Sequence, residues 1–145
     1  MPIVDLNECP CSGKNISTMV APWILLTLYE REGSYGYEIQ KIILNRLQEL
    51  GYGLNAGGLY RHLNVLEKRG VLTSNWDTSA PGPAKRRYFL TDAGKECLWR
   101  WMSTLSIHVG LIGKFMDEAQ RVFSNAILPK VTVTLNQPLA SKELS

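Results

Sequence analysis

The chain has 145 residues, of which 45% are hydrophobic and 20% charged, and its net charge is +3. This is the size and composition of one small globular domain, because about 100–150 residues is the commonest length for a single hydrophobic core. The same values exclude an enzyme built on a complete α/β barrel and a chain dominated by disorder.

The N-terminal region indicates neither export nor membrane insertion. No apolar run approaches the roughly 20 residues that a membrane-spanning helix needs, and the opening MPIVDLNE lacks the pattern of a secretory signal. We therefore expect a cytoplasmic protein that does not enter a membrane. Residues 1–14 contain two prolines and a glycine without any period, so we interpret them as an irregular arm that carries two cysteines.

Two helices are predicted next. The apolar residues within 17–31 follow a nearly helical pattern, and Pro22 fits best where a short turn ends and the helix begins. The second helix is predicted over residues 34–50, with Ser34 as its N-cap, because apolar residues recur there at helical spacings. Gly51 follows as the stop signal.

A third helix is predicted from the N-cap Asn55 to a stop at Gly70. At 100° per residue, its three leucines lie within about 60° of one another and form the buried stripe. The opposite side then presents cationic and hydrogen-bonding groups. Gly57 and Gly58 either permit close backbone approach or merely loosen the start of the helix. The residues of interest on this surface are Gly57, Tyr60, Arg61, Asn64 and Lys68.

The hydrophobic period then changes to that of a hairpin. Residues 71–76 and 86–91 are short and rich in β-forming residues, and the segment between them contains two prolines and a glycine. Three consecutive basic residues, Lys85, Arg86 and Arg87, begin the second strand. They either face a polyanion or form a solvated surface.

A long final helix is predicted over residues 92–127, capped by Thr91 or Asp92 and ended by Pro129. Its apolar positions alternate in steps of three and four, which is typical of a coiled-coil seam. One chain offers no equally long partner helix, so we expect a homodimer. Trp101 is either a core anchor or part of an effector site. The seam residues in question are Cys97, Trp101, Leu105, His108, Ile112 and Phe115.

The order of these elements predicts a mainly α fold with a small β-hairpin wing, namely a winged helix-turn-helix followed by a long dimerisation helix. We divide the chain into an arm (1–14), a DNA-binding domain (15–91), a dimerisation helix (92–127) and an unassigned tail (128–145). Residues 60–100 hold eight basic and four acidic residues. Their net charge of 8 − 4 = +4 exceeds that of the whole chain, which favours a polyanionic partner.

Three segments together closely resemble the PadR family of bacterial transcriptional regulators: GYEI at 36–39, GGLYRHLNVLEKRGVL at 57–72 and GPAKRRYFLTDAG at 82–94. The resemblance covers roughly residues 20–125. It implies a dimer that binds an inverted-repeat operator in double-stranded DNA, usually as a repressor. By the family pattern, Tyr60 approaches DNA and the three basic residues form the wing. The leader CPCSGK at residues 9–14 resembles that of a subgroup of these proteins.

The three cysteines admit two interpretations. Cys9 and Cys11 on the arm, with Cys97 on the last helix, are a candidate thiolate metal site or redox pair. Against this, the spacing is shorter than the CxxC of structural zinc sites and no fourth ligand is evident, so inert thiols are the alternative. No cofactor is otherwise indicated, and a metal or a small-molecule effector remains a hypothesis.

Other classes of function fit less well. The sequence contains no Ser/His/Asp set, no GxxxxGK phosphate loop and no paired acids on a common face, so we expect no enzyme. A winged helix used as a protein-interaction module is the alternative to DNA binding. We expect such a module to expose an apolar surface where this chain places Arg61 and Asn64.

Overall fold

The computed structural model describes residues 19–48 and 56–124. They belong to two compact units, one extending through Lys95 and the other beginning at Glu96, and each unit is treated separately below. Among the described residues, no helix is long and apolar enough to cross a membrane. The predicted N-terminal arm and C-terminal tail lie outside the described ranges.

The first two helices begin later than the sequence predicts. Helix α1 spans Val20–Glu30, so Pro22 occupies its first turn, where a missing N–H breaks no helical hydrogen bond. Helix α2 spans Gly36–Leu47 and its N-cap is Tyr35. The prediction of Ser34 as the N-cap is therefore wrong.

Ser34 belongs instead to a two-residue strand, β1, formed by Ser34–Tyr35. The Ser34 hydroxyl donates to the Arg31 carbonyl at 2.7 Å, and the cap of α2 is closed by Glu38, whose Oε1 accepts the Tyr35 N–H at 3.0 Å. Ser34 and Tyr35 form a strand because they pair with Tyr88 and Arg87, which lie far away in the chain. A local helix-start signal cannot reveal such pairing.

The third helix lies where the sequence predicts it, whereas its predicted N-cap Asn55 and the stop signal Gly51 lie outside the described residues. Helix α3 spans Ala56–Lys68, and Gly70 follows it. Its three leucines, Leu59, Leu63 and Leu66, are exposed by 0%, 0% and 3%. The predicted stripe is therefore confirmed as the buried side of the helix.

The hairpin is confirmed, with one addition. Strand β2 spans Leu72–Asp77 and strand β3 spans Lys85–Leu90. They pair antiparallel from Leu72 opposite Leu90 to Asp77 opposite Lys85. Strand β1 adds to the other edge of β3, which makes a three-stranded sheet in the order β1-β3-β2. The fold is thus mainly helical with a small antiparallel sheet, as predicted, and β2 with β3 is called the wing below.

The core of the first unit lies between the three helices and the end of the sheet where β2 begins and β3 ends. Burying these side chains stabilises the fold by roughly 1.5–3 kcal/mol for each large aliphatic residue, and it fixes α3 against the scaffold. The buried residues are Ile24, Leu25, Leu28, Ile39, Ile43, Leu59, Leu63, Leu66, Leu72, Tyr88 and Leu90.

Helix α4 spans Asp92–Val122, and its beginning lies close to the connection between α3 and β2. Thr91 is the residue that caps it, because its Oγ1 accepts the Gly94 N–H at 3.0 Å. The same hydroxyl donates to the Gly70 carbonyl at 2.7 Å. A Cβ atom at Gly94 would lie 2.1 Å from the Val71 carbonyl oxygen, so glycine permits this approach.

The second unit consists, among its described residues, of the rest of α4. Ion pairs within the helix join Arg100 to Glu96 at 2.9 Å and Lys114 to Glu118 at 3.0 Å. Ile112 is 59% exposed and Phe115 is 68% exposed. A helix in water rarely displays such a run of large apolar side chains without a partner.

Candidate nucleic-acid interface

The exposed side of α3 carries the residues that the sequence predicts to meet DNA. Arg61, Asn64 and Lys68 are exposed, and Tyr60 is 43% exposed. Gly57 lies in the first turn of the helix. Because the leucine stripe is buried on the other side, the fold holds these polar groups outward on a rigid element.

Tyr60 is positioned by the start of α2. A Cβ atom at Gly36 would lie 2.6 Å from Cε1 of Tyr60 and 2.9 Å from its hydroxyl oxygen. The tyrosine ring therefore lies directly against the backbone of Gly36, where any larger residue would displace it. The glycine of the GYEI segment thus permits the close approach of Tyr60, and the sequence alone does not reveal this contact.

Arg87 is the most firmly held of the three basic wing residues. Its Nε donates to Asp77 Oδ2 at 3.0 Å, its Nη1 donates to the Gly33 carbonyl at 3.0 Å, and its guanidinium lies 4.4 Å from the centre of the Tyr35 ring. These contacts join β3 to β2 and to the turn before β1. Arg87 therefore helps to hold the sheet together.

Asp77 collects most of the hydrogen bonds at this end of the wing. The Ser79 hydroxyl and N–H donate to its Oδ1 at 2.5 and 2.9 Å, and the Tyr35 hydroxyl donates to its Oδ2 at 2.5 Å. Hydrogen bonds from Ser79 and then Tyr35 favour the charged carboxylate and hold the pKa of Asp77 well below its usual range. The same hydrogen bond raises the pKa of Tyr35, because it stabilises the protonated hydroxyl that donates to Asp77.

Arg86 connects the wing to α3. Its Nη2 lies 3.4 Å from Glu67 Oε2, and the Ser74 hydroxyl donates to the other oxygen of the same carboxylate. The guanidinium also lies 5.2 Å from the centre of the Trp76 ring. Glu67 of α3 therefore bridges β2 and β3, which sets the position of the wing relative to the helix.

Lys85 differs from its two neighbours. It is exposed, and it forms no ion pair with any residue in ranges 19–48 and 56–124. Its Nζ lies 5.6 Å from the ring centre of Tyr35 and 5.5 Å from that of Tyr37. These two rings stack on each other with centroids 5.6 Å apart, so Lys85 sits above an aromatic pair with its charge available.

A groove of about 410 Å³ separates α3 from the wing, and it is called the wing groove below. The sequence predicts that Tyr60, Asn64, Lys85 and Arg86 lie near DNA. It does not predict that other aromatic side chains line the same groove. Trp76 was assigned only to a strand, and its 63% exposure depends on the register of the hairpin. The lining residues are Tyr35, Gly36, Tyr37, Tyr60, Asn64, Trp76, Ala84, Lys85, Arg86 and Tyr88.

The predicted sensor residues are described only in part. Cys9 and Cys11 lie outside the described residues, and Cys97 is a half-buried free cysteine. No group of three or more His, Cys, Asp or Glu residues within ranges 19–48 and 56–124 is arranged to hold a metal ion. On α4, Trp101 and Leu105 are partly exposed and His108 is exposed.

The profile of the transcriptional regulator PadR-like family matches residues 24–100, which is more than half of the chain. The match includes α3, the wing and the beginning of α4. The chain belongs to the PadR-like family of transcriptional regulators. A search of curated protein sequences found no significant match.

Solved structures agree with this PadR-like assignment. A transcriptional regulator from Clostridium thermocellum is 30% identical, with a TM-score of 0.61 over 67% of this chain and 92% of that one. A putative transcriptional regulator from Thermoplasma acidophilum is 27% identical, with a TM-score of 0.58 over 68% and 91%. A PadR-family regulator from Eggerthella lenta is 26% identical, with a TM-score of 0.57 over 73% and 91%. The matched family and these relatives are regulators rather than enzymes, and the PadR-like fold implies regulation through DNA binding.

Proposed function

We propose that this PadR-like regulator acts as a homodimer that binds an inverted-repeat operator in double-stranded DNA and represses transcription until a signal releases it. The observation that supports this function best is the exposed side of α3, where Arg61, Asn64 and Lys68 project beside the basic wing. Residues 15–91 are the proposed DNA-binding domain and residues 92–127 the proposed dimerisation helix.

The recognition helix and the wing have different roles in this proposal. Arg61 and Asn64 read base edges in the major groove, because guanidinium and amide groups form paired hydrogen bonds with guanine and adenine. Gly57 and Tyr60 act at the start of α3, where free backbone N–H groups suit a phosphate. Lys68 and the wing residues Lys85, Arg86 and Arg87 supply positive charge toward the DNA backbone.

Neutralising the wing is expected to weaken binding to every duplex by a similar factor. In the variant Lys85→Gln, Arg86→Gln, Arg87→Gln, the slope of log K against log salt should fall by about 0.9 for each phosphate that the wing no longer neutralises. Arg61→Ala should instead change the preferred sequence, at a cost of about 1–3 kcal/mol at the base that it reads. Fluorescence anisotropy titrations at several salt concentrations measure both effects.

Lys41→Gln is the matched control, because Lys41 is an exposed cation on α2 and does not line the wing groove. It should leave the salt slope unchanged. An unchanged slope in the wing variant would contradict the role given to the wing.

The release signal is proposed to act through the cysteines or the seam of α4. A metal or a disulfide that joins Cys9 or Cys11 to Cys97 would tie the arm to the dimerisation helix, and the spacing of the two recognition helices would change. The expected change in operator affinity is roughly 5- to 150-fold. The thiol hypothesis predicts that replacing all three cysteines with serine removes any difference in operator binding between reducing, oxidising and zinc-loaded conditions.

If the wild-type protein and this variant titrate identically in all three conditions, the thiols are not the sensor. The effector site would then be sought around Trp101, with Leu105, His108, Ile112 and Phe115 along the same seam.

A further inference from the structure

Three aromatic side chains of the wing groove are exposed. Trp76, Tyr37 and Tyr60 are exposed by 63%, 51% and 43%. The hydroxyls of Tyr37 and Tyr60 have no hydrogen-bond partner within residues 19–48 and 56–124. A groove with such donors is suited to a ligand that accepts hydrogen bonds and offers an apolar surface.

The charge of the groove determines whether an anionic or a cationic ligand fits it. Of the residues that the structure describes, Lys85 and Arg86 line it and no carboxylate does. The nearest acids are already engaged, because Asp77 pairs with Arg87 and Glu67 pairs with Arg86. Lys85 is in no such pair within the described ranges, so it leaves a net positive charge in the groove, which repels a cationic ligand and attracts an anion.

The position of the groove identifies the anion. Asn64 and Tyr60 of α3 form one wall, and the same two residues belong to the side of the helix that faces DNA in the proposed function. The other wall is the wing, from Trp76 to Lys85. When α3 enters the major groove of a duplex, one strand of the DNA backbone therefore lies across the opening of the wing groove.

We propose that the wing groove binds one phosphodiester of the operator backbone together with its deoxyribose. The Lys85 ammonium and the Tyr37 hydroxyl bind the phosphate oxygens, and the Trp76 ring packs against the sugar. This inference rests on the proposed function, and it adds Tyr37 and Trp76 to the DNA-binding residues. It also separates Lys85, whose charge is available, from Arg86 and Arg87, which are held by carboxylates.

The test uses the full-length protein and a duplex recovered from a random-sequence pool by repeated binding to the wild type. Tyr37→Phe removes one hydroxyl without changing the ring, and it should weaken binding about tenfold because a hydrogen bond to a charged group is removed. A set of duplexes, each with one phosphate replaced by a neutral methylphosphonate, locates the contact. Wild type should lose affinity at one particular phosphate per half-site, whereas Tyr37→Phe and Lys85→Gln should lose much less there.

Tyr29→Phe is the control, since Tyr29 is 46% exposed on α1 and lies outside the groove. It should keep the wild-type affinity and the wild-type methylphosphonate profile. The thermal unfolding midpoints of all variants should match that of the wild type, so that a binding change reports contact rather than folding.

Two outcomes overturn the inference in different ways. If the wild type binds its selected duplex tightly while Tyr37→Phe and Lys85→Gln keep its affinity and its profile, the groove does not bind the backbone and the DNA-binding function stands. If the wild type enriches no sequence from the pool, the proposed function fails and the inference fails with it.

Discussion

Replacing Ile112 with glutamate is expected to separate the proposed dimer into monomers and to remove most of its operator affinity. Ile112 is 59% exposed and Phe115 is 68% exposed in the single chain. Together with Trp101 and Leu105, they lie within about 80° of one another around α4. If two copies bury this stripe, a carboxylate at position 112 faces a dry apolar interface and costs several kcal/mol. Loss of simultaneous binding to two half-sites then lowers operator affinity by roughly 10²- to 10⁴-fold.

Ser103→Glu provides the matched control for this substitution. Ser103 is an exposed residue of the same helix, and it lies about 180° around the helix from Ile112. The control adds the same charge and should remain dimeric. Sedimentation equilibrium at micromolar concentration measures the assembly, and anisotropy titration measures the binding. A wild-type protein that sediments as a monomer in these conditions would refute the dimer.

Replacing Gly94 with alanine is expected to destabilise the protein, although alanine normally favours a helix. The new methyl group would lie 2.1 Å from the Val71 carbonyl oxygen and 3.0 Å from Cδ2 of Leu90. The carbonyl cannot easily move, because it accepts the Thr91 N–H at 3.2 Å in the connection that begins α4. The start of the helix must shift instead, and overpacking of this kind lowers the free energy of unfolding by about 1–3 kcal/mol.

Gly110→Ala should have the opposite sign. Gly110 is in the same helix, and a Cβ atom there meets no atom within 4 Å. Alanine in an open helical position raises stability by up to about 1 kcal/mol. Urea unfolding of both variants and the wild type at one protein concentration gives the comparison. Equal stability of Gly94→Ala and the wild type would show that the close approach carries no structural cost.

The elements whose signals are local or periodic could be predicted from the amino-acid sequence. The bounds of α3 follow from the leucine stripe and from Gly70, and burial of Leu59 and Leu63 is what a period of 3.6 residues dictates. The wing follows from two β-rich segments around a proline-rich connection, and the start of α4 follows from the two candidate caps Thr91 and Asp92, of which the structure selects Thr91. Together with the motifs in α2, α3 and the wing, these elements were sufficient to indicate the fold class and the family.

The contacts between these elements could not be predicted from the sequence. Ser34 looked like a helix cap, but pairing with Tyr88 makes it a strand, and a two-residue strand has no period to detect. The three basic residues of the wing looked equivalent. Arg86 and Arg87 are committed to Glu67 and Asp77, whereas Lys85 is not. The reason is physical: contacts between residues far apart in the chain depend on strand register and on close approach, and neither leaves a pattern in a single sequence.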